Sequence, residues 1–325
     1  MTSRILVTGG AGFIGSAYVR ALLGPSGPPG VTVTVLDKLT YAGSLARLDP
    51  VRAHPDLTFV RGDVCDAATV RRLTAGHDEI VHFAAESHVD RSIEDGSCFT
   101  RTNVMGTQTL LDAALRNGVR TFVHISTDEV YGSVPEGAAR EEDPLRPSSP
   151  YAASKAAADL VALAHHRTYG LDVRVTRCSN NFGPYQHPEK AVPRFLAAVL
   201  TGGSLPLYGD GRQVRDWLHV DDHVRAVELV RTAGRAGETY NIGGGTSLSN
   251  LGLAQHLLTR CGAGPDRITH VTDRKGHDRR YAVDHSKITA ELGYRPRADF
   301  AQALTATVDW YRTHRPWWEP LFTSV

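Results

Sequence analysis

The stretch Arg4-Ile5-Leu6-Val7-Thr8-Gly9-Gly10-Ala11-Gly12-Phe13-Ile14-Gly15 runs from a short apolar, β-rich segment straight into glycines spaced Gly-x-x-Gly-x-x-Gly. Ile5, Leu6 and Val7 read as a buried strand that stops at Gly9-Gly10, and Phe13 to Leu23 has helical spacing ended by Gly24-Pro25. In such a strand–turn–helix, Gly9 allows the tight turn, Gly12 lets backbone approach a pyrophosphate, and Gly15 lets the helix pack closely on the strand. The free N–H groups at the helix start, around Phe13 and Ile14, then face the anion.

Working outward, further strands are expected over 31–36, 57–61, 79–83, 121–126 and 173–176, with helices between them, notably 98–117 and 150–169. This alternation predicts an α/β fold: a Rossmann-type, doubly wound parallel sheet. From about residue 180 the rhythm loosens, with Pro184, Pro188, Pro193, Pro206 and the run Gly243-Gly244-Gly245. A smaller mixed α/β C-terminal lobe is expected there, giving domains 1–178 and 179–325, with a boundary that the chain is free to recross. Asp37 ends the second strand about 20 residues after the last glycine, where an acid hydrogen-bonds an adenosine ribose and repels a 2′-phosphate, so NAD is the expected cofactor. Lys38 beside it softens that choice. Asp63, in Gly62-Asp63-Val64, fits either an adenine contact or a helix cap.

Lys and Arg total 36 against 35 Asp and Glu, leaving a formal charge of +1 and no polybasic footprint for nucleic acid or an anionic membrane. The 4 cysteines lack paired spacing, which argues against a disulfide framework or zinc site and fits a cytoplasmic protein. No apolar run approaches the ~18 residues of a membrane span. His219-Val220-Asp221-Asp222-His223 has a metal-like look but reads better as a helix start, so no metal is expected.

Tyr151 and Lys155 form Tyr-x-x-x-Lys at the start of a helix, so both face one side. A tyrosine base needs its pKa brought from ~10 towards ~7, about 4 kcal/mol, which an ammonium at ~4 Å supplies at an effective dielectric of ~20. Lys155 is expected to lower Tyr151 in this way, and Thr127 to donate to the oxygen being oxidised. The segment Ser126-Thr127-Asp128-Glu129-Val130-Tyr131-Gly132 puts two consecutive carboxylates at the end of a buried strand. Either they form a solvated turn or cap, or they are a general acid and base beside a redox pair.

Together these motifs resemble the extended short-chain dehydrogenase/reductase family and, within it, the dTDP-glucose 4,6-dehydratases. The resemblance rests on the glycine loop, Asp37 to Gly43, Ala84-Ala85-Glu86-Ser87-His88-Val89-Asp90-Arg91-Ser92, Thr127-Asp128-Glu129, Asn180 to Pro184, Pro188-Glu189-Lys190, Asp273 to Asp278 and Trp317-Trp318-Glu319-Pro320. Phe182, Ser148 and Ala191-Val192 depart from the usual residues, and none of them removes a catalytic group.

What the resemblance implies is a lyase with tightly bound NAD that turns dTDP-glucose into dTDP-4-keto-6-deoxyglucose. Tyr151 would act as base at carbon 4, Glu129 as base at carbon 5 and Asp128 as acid on the 6-hydroxyl. Thr40, Val64, Ala84, Ala85, Ser87, Thr102 and Asn181 join the expected cofactor contacts. Ser87, Thr127, Asn180, Lys190, Pro206, Tyr208, Arg215, Asn250, Arg274 and His277 are the expected substrate contacts. The two long helices match those that pair relatives into homodimers. A nucleotide-sugar 4-epimerase, a dehydratase of another nucleotide sugar and a non-catalytic NAD-binding sensor are the alternatives. An epimerase has no need of the Asp-Glu pair.

Overall fold

Twelve strands are found among residues 3–322, which the computed structural model describes. They are β1 (Ser3–Thr8), β2 (Val31–Asp37), β3 (Leu57–Arg61), β4 (Glu79–His82), β5 (Thr121–Thr127), β6 (Val173–Cys178), β7 (Asn180–Phe182), β8 (Leu205–Tyr208), β9 (Val214–His219), β10 (Thr239–Ile242), β11 (Ser247–Ser249) and β12 (Ile268–Val271). Seven form one sheet in the order β10-β6-β5-β4-β1-β2-β3, and every pairing in it is parallel. Such a sheet is covered on both faces, which explains its strand sequences: Ile5, Leu6 and Val7 are fully buried, and all of β5 is buried. One face packs on the helix Phe13–Leu23 and the helix Val220–Ala233 through Tyr18, Val19, Val224 and Val227. The other packs on Gly106–Asn117 and Pro150–Tyr169 through Leu110, Leu111, Ala114 and Ala162.

The strand order turns around between β1 and β4, and a crevice opens beyond their C-terminal ends, the usual ligand position in an open α/β sheet. A three-stranded sheet, β11-β9-β7, and a β12-β8 pair build the smaller lobe. Its core gathers Phe182, Phe195, Leu196, Trp217, Leu253, Leu257, Tyr311 and Trp318.

The boundary was expected to be open to recrossing, and one helix differs from its expected winding. The chain recrosses the boundary at 178: β10 pairs with β6 at the sheet edge, and Ile288 and Tyr294 sit in the core of the large lobe. The exposed edge of β6 has to be covered, and a four-residue strand supplied from 239–242 does it. The ends of the two expected domains, 1–2 and 323–325, lie outside the described residues. The helix expected over 98–117 is a continuous run from 97 to 117, but its residues Thr100–Met105 are wound as a π-helix, a feature frequent at functional sites.

Candidate active site

The glycine loop is shaped as its sequence requires. Gly9 has φ +71° and lies so close to the β4 loop that a Cβ would stand 2.5 Å from Ala84 N; a Cβ on Gly15 would overlap Gly9 O. The helix Phe13–Leu23 opens at Gly12 with no side-chain cap and no acid in its first turn, so its N–H groups face the crevice. Asp37, at the end of β2, accepts from Ala11 N at 2.9 Å and Leu39 N at 2.8 Å. Burial raises its pKa, and those two N–H groups and Arg47 oppose the rise. These features fit a dinucleotide: an uncapped helix end for the pyrophosphate and a fixed carboxylate for the ribose.

Lys38 reaches across to Asp63, Nζ to Oδ2 2.7 Å. Asp63 accepts from Cys65 N at 2.9 Å, whereas the cap of the next helix is Asp66. The capping alternative for Asp63 is therefore taken by its neighbour.

One cavity is lined by every expected cofactor residue: Gly9, Gly12, Phe13, Ile14, Gly15, Asp37, Lys38, Thr40, Asp63, Val64, Ala84, Ala85, Ser87, Thr102, Tyr151, Lys155 and Asn181. Thr127, Asp128 and Glu129 line it as well, as do Asn180 and Lys190. Thr127 closes β5 and caps the 3-10 turn Asp128–Tyr131, its Oγ1 accepting from Glu129 N at 3.3 Å. Asp128 is 3 % exposed, and its Oδ2 has no hydrogen-bond partner. Burial and then the Glu129 carboxylate drive its pKa well above the usual carboxylate range, while Arg215 opposes them. Both influences favour the protonated form of Asp128, which lies beside the Glu129 side chain.

Tyr151 and Lys155 lie in the first turns of Pro150–Tyr169, which Ser149 caps by accepting from Ala152 N at 3.1 Å. The expectation that Lys155 pulls the Tyr151 phenol down is not met. Burial, then Glu129, push that phenol well above its ordinary value, against which the Thr127 hydroxyl acts. The Lys155 ammonium donates to Ile125 O at 2.7 Å, and burial lowers its own pKa to about 8.

Six expected substrate residues are not among those lining the cavity and form a patch on the smaller lobe that adjoins it, Arg215 acting electrostatically on Asp128. Tyr208 donates to Asp90 at 3.1 Å and Arg274 stands 3.7 Å from the same carboxylate. His277 meets Asp273 at 2.6 Å, Gln213 donates to Asp273 at 3.0 Å, and Asn250 N donates to Gln213 O at 2.9 Å. Arg215 stacks on Tyr281 at 4.1 Å, and Pro206 sits in the β8–β12 register. Lys190, inside the cavity, donates to Ser87 O at 2.5 Å.

Glu189 was not foreseen as a site residue. It lines the cavity, is 5 % exposed and has neither carboxylate oxygen hydrogen-bonded; Arg91 Nε stands 3.6 Å away. Its signal was its place in Pro188-Glu189-Lys190. The metal-like segment disperses: His219 caps its helix, His223 bonds Asn181 at 2.9 Å, and Asp222 accepts from Arg297 N and Ala298 N.

Comparison with known proteins agrees with this geometry. Residues 6–307 match the sequence model of the family described as GDP-mannose 4,6 dehydratase. The chain is 63% identical to a dTDP-glucose 4,6-dehydratase of Streptomyces griseus over 99% of this chain and 98% of that protein. A crystal structure of a Streptomyces venezuelae dTDP-glucose 4,6-dehydratase with NAD bound superposes with a TM-score of 0.97 at 60% identity, covering 98% of this chain and 99% of that one. A UDP-glucose 4-epimerase of Thermotoga maritima is more distant, with a TM-score of 0.88 at 31% identity over 95% and 99% of the two chains.

Proposed function

The chain belongs to the GDP-mannose 4,6 dehydratase family and groups there with the dTDP-glucose 4,6-dehydratases, and from this we infer that it is an NAD-dependent hydro-lyase acting on dTDP-glucose. It forms dTDP-4-keto-6-deoxyglucose by oxidation at carbon 4, loss of water across carbons 5 and 6, and return of the hydride to carbon 6 and of a proton to carbon 5. The observation that carries the reading is the acid–base pair Asp128 and Glu129 in one cavity with Tyr151, Lys155 and the glycine loop.

NAD, when bound, accepts the hydride and gives it back, and in its oxidised form adds a positive charge. The glycine loop and Asp37 would hold its pyrophosphate and ribose. The roles of the chain's own groups follow from their surroundings. Tyr151 takes the proton of the 4-hydroxyl, with Thr127 donating to the same oxygen. The resulting ketone acidifies carbon 5, whose proton goes to Glu129. Asp128, held protonated by burial and by Glu129, gives its proton to the departing 6-hydroxyl, which leaves as water. Glu189, with neither oxygen hydrogen-bonded, offers an acceptor for sugar hydroxyls beside Arg91. The patch of Tyr208, Arg215, Asn250, Arg274 and His277 would take the nucleotide.

A homodimer is part of this reading. The exposed large hydrophobic residues among those described, Met105, Leu115, Leu160 and Tyr169, all fall on the run 97–117 and on the helix Pro150–Tyr169, a pattern that supports pairing of these helices. Among the described residues no helix is long and apolar enough to cross a membrane. The four cysteines are unpaired, in keeping with a cytoplasmic location.

The test is direct. Purified protein incubated with dTDP-glucose and no added cofactor should yield the 4-keto-6-deoxy product without net NADH. Recovery of the galactose epimer, or of unchanged substrate, would overturn the assignment.

A further inference from the structure

The 3-10 helix Leu45–Val51 lies outside the cavity, yet it carries one of the most completely buried charged side chains in the molecule. Arg47 is 1 % exposed. Its guanidinium donates only to backbone carbonyls, and each belongs to a different part of the site. Nη1 donates to Ala42 O at 2.7 Å, in the loop that follows Asp37, and to Ala11 O at 3.3 Å, inside the glycine loop. Nε donates to Tyr185 O at 2.9 Å, one residue before the cavity-lining run Gln186, His187, Glu189 and Lys190. The guanidinium also lies over Trp317 at 5.2 Å.

The Tyr185 contact reaches a constrained segment. Tyr185 has φ +68°, a conformation that side-chain-bearing residues seldom adopt. It is held there by Trp310 at 4.6 Å, Trp317 at 5.5 Å and the Arg20 guanidinium at 4.7 Å. Arg20 in turn donates to Arg47 O at 2.7 Å. Burial lowers the Arg47 pKa to about 10, which leaves it a cation at neutral pH; Tyr311, Asp37 and Glu189 offset part of the burial effect. A planar fork with several fixed donors can bridge three loops at once in a way that a lysine cannot.

We propose that Arg47 is a positioning residue for the coenzyme: it clamps the glycine loop and the Asp37 loop against the 185–190 loop of the smaller lobe, and so keeps NAD bound between turnovers. Ala11 O keeps a second donor, Ser44 N at 3.0 Å, so the contacts that depend on Arg47 are those to Ala42 O and Tyr185 O. Without them the loop behind Asp37 and the loop behind Glu189 lose their common anchor. The inference rests on the NAD-dependent reading of the cavity.

The test compares wild type with Arg47→Met, which fills the space without donors, and Arg47→Lys, which keeps the charge and reaches fewer carbonyls. NAD content after repeated desalting and NAD affinity by fluorescence titration are measured beside turnover at saturating NAD. In Arg47→Met, affinity should fall roughly ten- to a hundred-fold, as for losing hydrogen bonds to a charged donor. Turnover at saturating NAD should stay within a few-fold of wild type, and Arg47→Lys should fall between the two. A merely structural role would lower turnover and melting temperature together and leave NAD affinity alone, which would overturn the proposal. Should Arg47→Met fail to fold, Arg47→Lys decides, since wild-type NAD affinity in that variant is equally fatal to it. Wild-type protein that binds no NAD would instead sink the NAD-dependent reading itself.

Discussion

Replacing Lys155 by methionine should stop turnover and, at neutral pH, make the fold more stable. The side chain is 3 % exposed, and burial brings its pKa from 10.5 to about 8, with Asp159 and Cys178 pulling the other way. A folded-state value below the unfolded one means that the unfolded chain holds the proton more tightly. Below about pH 8 both states are protonated, and the folded state carries the whole cost, about 3 kcal/mol at ~1.4 kcal/mol per unit. Between about 8 and 10.5 the unfolded state binds more protons, so stability rises with pH. About 2 kcal/mol of the cost is recovered by about pH 9.5.

Methionine removes the charge and also the hydrogen bond to Ile125 O, a loss of about 1 kcal/mol. The variant should therefore be about 2 kcal/mol more stable at about pH 6.5, and that advantage should vanish near pH 9.5. With an unfolding entropy of roughly 2 cal/mol/K per residue, 2 kcal/mol is about 3 °C in a chain of 325 residues. The assay is thermal or denaturant unfolding of both proteins, freed of NAD, at the two pH values, because bound ligand adds its own stabilisation. Packing differences between lysine and methionine are common to both pH values and cancel in the comparison. A difference between the proteins that does not change with pH would refute the reasoning.

Tyr151→Phe keeps the ring and removes the proton acceptor, so substrate binding should survive while single-turnover NADH formation slows ~10²–10⁴-fold; a near wild-type rate would exclude the role. Asp128→Asn should still reduce bound NAD but lose water ~10²-fold more slowly, and Glu129→Gln should abolish deuterium uptake at carbon 5. Because the folded Asp128 pKa is raised, wild type loses stability as pH climbs from the ordinary carboxylate range towards that higher value. The asparagine variant should therefore melt higher at neutral pH and show no such gain near pH 4, where an equal gain would contradict a protonated Asp128. Leu160→Asp places a charge on an exposed apolar position of the Pro150–Tyr169 helix; for the proposed homodimer, light scattering should give a dimer mass for wild type and a monomer mass for the variant, and a monomeric wild type or an unchanged mass would refute pairing through this helix.

The first six parallel strands were legible because each is a local signal, a short β-rich run set between turn residues and helical stretches. The shape of the glycine loop and the place of Asp37 were legible for the same reason, since short motifs dictate their backbone geometry. The seventh strand was not. Thr239-Tyr240-Asn241-Ile242 is short and only half apolar, and its place beside β6 is decided by an edge that has to be covered. The π-helical turn at Thr100–Met105 likewise leaves no mark in a pattern that reads as plain helix. Asp63 shows a subtler limit. The motif allowed it to be a cap, and only the structure shows that Asp66, three residues on, takes that role. Arg47 carried no signal at all, because a lone arginine in Leu45-Ala46-Arg47-Leu48 reads as a solvated side chain until the carbonyls around it are known.

The departure at Tyr151 follows from one physical cause acting on three groups. The cavity that buries Asp128 raises its pKa and makes it an acid, which the elimination needs. The same burial acts on Tyr151 and raises it too, which the oxidation does not need, and on Lys155 it lowers the value. A dry site thus favours the neutral form of all three, and sequence spacing alone records only the partner charge, not the desolvation that outweighs it. Tyr151 can serve as base only where added positive charge offsets both its burial and the Glu129 carboxylate. The proposed mechanism has oxidised coenzyme add to the charge of Lys155, whose ammonium is turned on Ile125 O.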